Sequence, residues 1–318
     1  MIPLLVLVGP TGVGKTELSL HLAARLDAEI VSADSRYLYR GLDIGTAKPS
    51  PVELARIPHH LVNVTAPEQP WSLAEYKQAA TVAIVDIHAR GRLPMLVGGT
   101  GQYLRALLQG WQIPAGGDNL QLRDRLTAQA ETAVGLAALY AQLSELDPAG
   151  AMQIDARNPR RVVRALEVCL SSGRPFSAQR TRVAPAYRAC QLGLTMSRAD
   201  LYARIDARVD RMLADGLLAE TQGLAAQGLA WELPALSALG YRQLGAHLRG
   251  ECSLAEAVLR IKHDTRRFAR RQYAWFSLSN PDITWFDVGR TPRAQIEEHA
   301  VGALEGAGYK VPAGRIGT

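Results

Sequence analysis

The residues with which this sequence can do chemistry begin in its first sixteen positions. Gly9-Pro10-Thr11-Gly12-Val13-Gly14-Lys15-Thr16 fits the pattern G-x-x-x-x-G-K-[ST], a phosphate-binding loop. Its glycines let the backbone turn tightly enough to aim N–H groups at a polyphosphate. Lys15 can reach the outer phosphate, the Thr16 hydroxyl can ligate Mg²⁺, and the following helix adds positive potential at its N-terminus. Asp34 is the second group. It follows a short apolar run, Ala28 to Ala33, that reads as a buried strand, and in open parallel sheets ligands bind outside the carboxyl ends of the strands. A carboxylate on that rim can serve as a base beside a phosphorylated compound.

Arginine supplies the third kind of group, in three clusters. Arg160, Arg161 and Arg164 open a helix capped by Asn158 with Pro159 in its first position. Arg204, Arg208 and Arg211 recur along a helix capped by Ser197, either closing over bound phosphates or pairing as surface residues with Asp206, Asp210 and Asp215. A long helix with a Ser253/Glu256 capping box carries Lys262, Arg266, Arg267, Arg270 and Arg271, interleaved with Phe268, Tyr273 and Trp275. Basic residues among aromatics suit a nucleic-acid backbone with unstacked bases, whereas each cluster alone also fits a solvated helix face.

The elements that must position these groups follow from periodicity. A strand at Ile2 to Val8 enters the loop, a helix at Glu17 to Leu26 leaves it, and strands are expected at Ala28 to Ala33, His60 to Thr65 and Leu93 to Val97. Helices at Leu73 to Arg90 and Tyr103 to Leu108 complete a βαβα alternation, hence a parallel sheet. Ser35 to Pro51, with two glycines and two prolines, reads as a long loop beside the site. The strand at Leu93 ends in Gly98-Gly99-Thr100-Gly101 rather than in the acidic Mg²⁺ ligand of switch-type NTPases. Gly116 and Gly117 then mark a boundary. Helices near Asn119 to Val134, Leu136 to Leu146 and Asn158 to Ser172 precede a strand at Cys190 to Met196 that returns the chain to the sheet. The expected fold is α/β: a P-loop parallel-sheet core at 1–114, an inserted all-helical domain at 115–187, and a return strand with C-terminal helices at 188–318.

Composition narrows the classes. The net charge of +6 comes mainly from arginine, which reads phosphate and stacks on bases. No apolar run approaches the roughly 20 residues of a membrane helix. The first strand lacks the basic region of a signal peptide. Cys169, Cys190 and Cys252 offer neither metal-ligand spacing nor an even disulfide framework, so a cytoplasmic protein with free thiols is expected. The last dozen residues, ending Gly314-Arg315-Ile316-Gly317-Thr318, read as a loose tail.

Taken together, the phosphate loop, the run Asp34-Ser35-Arg36-Tyr37 through Gly45-Thr46-Ala47-Lys48-Pro49, Val97 to Tyr103, Asn158 to Glu167, Gly240-Tyr241-Arg242-Gln243 and Thr265 to Gln272 resemble the tRNA dimethylallyltransferase family. The run from Asp34 to Pro49 is the most specific, and the segments span nearly the whole chain. The resemblance implies Mg²⁺-dependent transfer of the dimethylallyl group of dimethylallyl diphosphate to N6 of the adenine 3′ of the tRNA anticodon, by a monomer. It implies Asp34 as general base, with Thr11 and Arg208 also in the catalytic set. Gly9, Pro10, Thr11, Gly12, Val13, Gly14, Lys15, Thr16 and Arg208 would hold the diphosphate. Asp34, Ser35, Arg36, Tyr37, Thr100, Arg123, Arg160, Arg161, Val162, Val163, Arg164, Thr265, Arg266, Arg267, Arg270, Arg271 and Gln272 would touch tRNA. Tyr37 and Arg160 depart from the family's pattern, which often has Gln at both places. Two other readings of the same residues are a phosphate-loop kinase of a small metabolite and an RNA-binding protein switched by nucleotide.

Overall fold

The computed structural model describes residues 1–113, 119–179 and 181–311. Six strands form one sheet: β1 (Ile2–Val8), β2 (Ala28–Ala33), β3 (His59–His60), β4 (Leu93–Gly98), β5 (Tyr187–Thr195) and β6 (Ile283–Asp287). Their order across the sheet is β3-β2-β4-β1-β5-β6, and every pairing is parallel. Central strands of such a sheet are covered on both faces, so they read as continuous apolar runs. β1 shows how. Leu5 and Leu7 enter one core with Leu22 and Leu194, while Leu4, Val6 and Val8 enter the other with Tyr76 and Ile84.

Two compact units make up the chain: Met1–Leu108 with Ala186–Thr318, and Gln109–Pro185. The second is helical, and Leu122, Leu126, Leu139, Leu143, Val162 and Leu166 form its core. Gly116 and Gly117, the expected boundary, lie outside the described residues, as do residues 312–318 of the expected tail. No helix among the described residues is long and apolar enough to cross a membrane.

Local structure differs from expectation in four places. The strand expected at His60 to Thr65 is only two residues long, because Leu61 and Asn63 take φ of 62° and 57°, which turns the chain out of the extended region. Thr65 keeps a single bridge to Tyr39. The helix expected to run to Val134 ends at Gln129, and a new one, Ala133–Leu146, starts where the Thr132 side chain accepts the Gly135 N–H. β5 begins at Tyr187, three residues before the expected Cys190. β6 has no counterpart among the expected strands: it is a half-buried edge strand of mixed polarity and carries a weak pattern.

Candidate active site

The phosphate loop is built by backbone that only glycine adopts easily. Gly12 and Gly14 have φ of 85° and 108°, and a Cβ on Gly9 would stand 2.6 Å from the Leu194 carbonyl oxygen. The helix Lys15–Leu26 begins directly behind it. The Lys15 Nζ donates to the Gly9 and Pro10 carbonyls, both at 2.9 Å. Burial pushes its pKa down to about 8; the Asp34 charge works against that shift and the Arg208 charge adds to it.

Asp34 leaves the end of β2, two strands from the loop, and β4 lies between them. Its Oδ1 accepts the Arg36 N–H at 2.9 Å, and its carbonyl accepts the Tyr37 N–H, which fixes the turn that presents the carboxylate. β4 ends in Gly98 with Gly99 next, and neither place has room for a side chain. A Cβ on Gly98 would meet the Ala33 carbonyl group at 2.3 Å, and one on Gly99 would meet the Gln272 amide nitrogen at 2.1 Å. Thr100 ties the strand ends together: its N–H donates to Ala33 and its hydroxyl accepts the Ser35 N–H at 3.0 Å.

The opposite wall is the helix Arg198–Ala214. Leu201 and Ile205 pack onto Gly12, where a Cβ would come 3.0 Å from Ile205. That seat turns Arg204, Arg208 and Arg211 into a cavity of about 430 Å³, which Thr11, Lys15, Thr16 and Asp34 also line. Arg204 donates to the Val13 carbonyl and Arg208 to the Thr46 carbonyl, each at 3.4 Å. Pairing of these arginines with Asp206 and Asp210 does not occur. Asp206 accepts from Arg266 and Asp210 from Lys262, both on the helix Leu254–Trp275, so the aspartates join two helices and leave the arginines facing the cavity.

The long loop after Asp34 is held by two residues whose role periodicity does not reveal. Glu220 accepts the N–H groups of Asp43, Ile44 and Gly45 and the hydroxyl of Tyr241. Lys48, its side chain nearly covered, donates to the Tyr39 carbonyl, Asp43 and Asn63. The only sequence signal for Glu220 is an acidic residue in a helix's first turn, which is common. Tyr37 sits in the same wall. Its hydroxyl donates to the Ala47 carbonyl at 2.6 Å within hydrogen-bonding reach of Thr16, and burial together with the Asp34 charge raises its pKa above the ordinary tyrosine range.

The residues read as RNA contacts divide by environment. Arg267, Arg270 and Arg271 are exposed on one helix, whereas Gln272 is buried and Arg266 is engaged with Asp206. Thr265 donates its hydroxyl to Ile261, one turn back. Arg36 donates to Pro234 and Ser237. In the helical unit, Arg160 and Arg161 are exposed. Arg123 and Arg164 instead clasp the fully buried carboxylate of Glu167 at 2.9 and 3.0 Å, and the side chains of Val162 and Val163 belong to the core. The three cysteines are free, and burial raises the Cys190 thiol pKa to about 11.

This sheet, loop and cavity define a P-loop α/β protein in which the loop faces a carboxylate across one cavity. Residues 37–279 match the family described as IPP transferase. The tRNA dimethylallyltransferase of Roseiflexus sp. (strain RS-1) is 54% identical over 276 residues, covering 87% of this chain and 90% of that one. That of Chloroflexus aurantiacus (strain ATCC 29366 / DSM 635 / J-10-fl) is 52% identical, covering 86% and 92%. Among solved structures, the tRNA isopentenylpyrophosphate transferase of Bacillus halodurans superposes with a TM-score of 0.72 at 37% identity, covering 97% and 98% of the two chains. A eukaryotic dimethylallyltransferase captured acting on tRNA gives a TM-score of 0.81 at 26% identity, covering 98% and 81%. The chain belongs to the tRNA dimethylallyltransferase (IPP transferase) family and is a prenyl-transferring enzyme.

A divalent metal accompanies this chemistry, and the donors here suit a hard cation. Among the described residues no group of three or more His, Cys, Asp or Glu side chains is gathered to hold a metal by itself. The cavity offers the Thr16 hydroxyl and the Asp34 carboxylate. Few protein oxygens, with substrate phosphate and water supplying the rest, is the manner in which Mg²⁺ binds.

Proposed function

We propose that this enzyme transfers the dimethylallyl group of dimethylallyl diphosphate to N6 of the adenine 3′ of the tRNA anticodon, releasing diphosphate, as a cytoplasmic monomer that uses Mg²⁺. The observation that carries the reading is the shared cavity: phosphate loop, Asp34 and the Arg208 wall open onto one space of about 430 Å³. Lys15, the loop N–H groups and Arg208 neutralise the diphosphate as the carbon–oxygen bond breaks and charge gathers on the leaving group. Thr16 would hold Mg²⁺, which would supply further charge neutralisation there. The exocyclic amine of adenine is a weak nucleophile because its lone pair is delocalised into the ring. Asp34 accepts the proton that this nitrogen loses as it bonds to the allylic carbon. A stacked base cannot enter such a site, so the nucleotide turns out of its stack; Arg267, Arg270 and Arg271 in the one unit, and Arg160 and Arg161 in the other, each supply cations for RNA phosphates.

The test is direct. Purified protein is incubated with labelled dimethylallyl diphosphate, Mg²⁺ and an anticodon stem–loop RNA, and label is sought at N6 of the adenine. Transfer to RNA supports the reading. ATP-dependent phosphorylation of a small metabolite, with no alkylated RNA, would replace it with the kinase reading.

A further inference from the structure

Gln272 is an uncharged side chain at the end of a row of arginines, and it faces the other way. Arg267, Arg270 and Arg271 are exposed, while Gln272 is 4% exposed. Both polar atoms of its amide are engaged: Oε1 accepts the Thr11 N–H at 2.8 Å, and Nε2 donates to the Gly99 carbonyl at 3.0 Å. These partners lie 261 and 173 residues away in the chain, on the phosphate loop and on the end of β4. The Thr11 N–H is therefore committed to a protein side chain, so Thr11 takes its place from the helix Leu254–Trp275 and not from a ligand.

The same helix end is pinned twice more without Gln272. The Tyr273 hydroxyl meets Thr195 at 3.0 Å, and the Trp275 carbonyl accepts from Arg105 at 2.7 Å. The Arg105 guanidinium also lies 4.9 Å from the centre of the Trp275 ring. With these contacts the helix is expected to keep its seat when the amide at 272 is altered, and what changes is the hold on Thr11 and Gly99.

We propose that Gln272 is a positioning residue for the transfer step, setting the spacing between the phosphate loop and the end of β4 across which the prenyl group passes. It makes the seat of the arginine-bearing helix part of the reaction geometry. This rests on the prenyl-transfer reading above and replaces, for this residue, the RNA-binding role that the family resemblance implied. Displacement of reacting groups by about 1 Å can cost on the order of 10²-fold in rate.

The experiment compares wild type, Gln272→Leu and Gln272→Glu as full chains, with dimethylallyl diphosphate and anticodon stem–loop RNA. Absence of transfer by the wild type would sink the prenyl-transfer reading itself; equal rates in all three would sink only the role of Gln272. Single-turnover rates at saturating RNA are expected to fall about ten- to a hundredfold in both variants at neutral pH. RNA affinity is expected to stay within about twofold, because the buried amide spends its hydrogen bonds on Thr11 and Gly99 and not on RNA. In Gln272→Glu the new carboxyl, when protonated, can accept from Thr11 and donate to Gly99 as the amide does. The rate relative to wild type should therefore rise as pH falls, and this carries the test even where Gln272→Leu does not fold. Weakened RNA affinity with a normal rate at saturation would return Gln272 to the RNA interface. A lowered melting temperature with an unchanged rate per folded molecule would make it structural only. Either result overturns the proposal.

Discussion

Gly98, at the carboxyl end of β4, lies so close to Ala33 at the end of β2 that a Cβ on it would stand 2.3 Å from the Ala33 carbonyl. β4 separates the strand that carries Asp34 from the strand that carries the phosphate loop, and Gly98 and Gly99 line the cavity that the two groups share. Gly98→Ala is expected to cost about 1–3 kcal/mol in stability, because the obstructing atoms are backbone and cannot swing aside. Denaturant unfolding checks this. A fully stable variant would mean that the strands separate more easily than their ladder implies.

Asp34→Asn keeps the acceptor that binds the Arg36 N–H, so the turn survives while the proton acceptor is lost. Turnover is expected to fall by about 10²- to 10⁴-fold, with both substrates bound within several-fold of wild type. Single-turnover kinetics at saturating substrate reads the chemical step. Near-normal transfer would remove Asp34 from the mechanism.

The pKa of Lys15, lowered by burial to about 8, makes two linked pH effects. Diphosphate binding needs the ammonium, so in the free enzyme affinity should weaken as pH rises through about 8, and Lys15→Ala should abolish that dependence while leaving RNA affinity intact. For stability the sign is reversed. Between about 8 and 10.5 the unfolded chain holds a proton on Lys15 that the folded chain has released. Stability from this group therefore rises with pH across that window. Isothermal titration of diphosphate at several pH values, beside urea melts of wild type and Lys15→Ala, separates the two effects.

The arginines of the helical unit should not behave alike. Arg160→Ala and Arg161→Ala are each expected to reduce the slope of log RNA affinity against log salt by about 0.7 to 0.9 for every phosphate left without its cation, with little effect on folding. Arg164→Ala removes one of two cations from the buried Glu167 and should lower stability as well. If Arg160→Ala and Arg161→Ala both keep the wild-type slope, those residues are only a solvated helix face.

Glu220→Ala deprives the Asp43 and Ile44 N–H groups and the Tyr241 hydroxyl of their acceptor and leaves the Gly45 N–H only the Tyr241 oxygen. A loss of about 1–3 kcal/mol is expected, together with faster amide exchange at Asp43, Ile44 and Gly45. Unchanged exchange at those amides would show that the loop is held without Glu220.

Local chemistry was legible in the sequence wherever covalent structure dictates it. The phosphate loop needs glycine at positive φ, the helix ends need Asn158, Ser197 and Ser253 to accept orphan N–H groups, and central parallel strands need unbroken apolar runs. Those constraints act within a few residues, so the strands β1, β2 and β4 and the place of Asp34 on the rim of the loop could be anticipated, whereas the order β2-β4-β1 across the sheet could not. Tertiary structure alone decided which polar groups meet. Asp206 and Asp210 could pair with arginines on their own helix or with cations on the helix Leu254–Trp275, and packing chose the latter. Gln272 stands among basic residues in the chain but binds Thr11 and Gly99, because helical phase and the sheet's topology bring together residues separated by 261 and 173 positions. A side-chain hydrogen bond of that range depends on three-dimensional placement, which no period or spacing along the chain encodes.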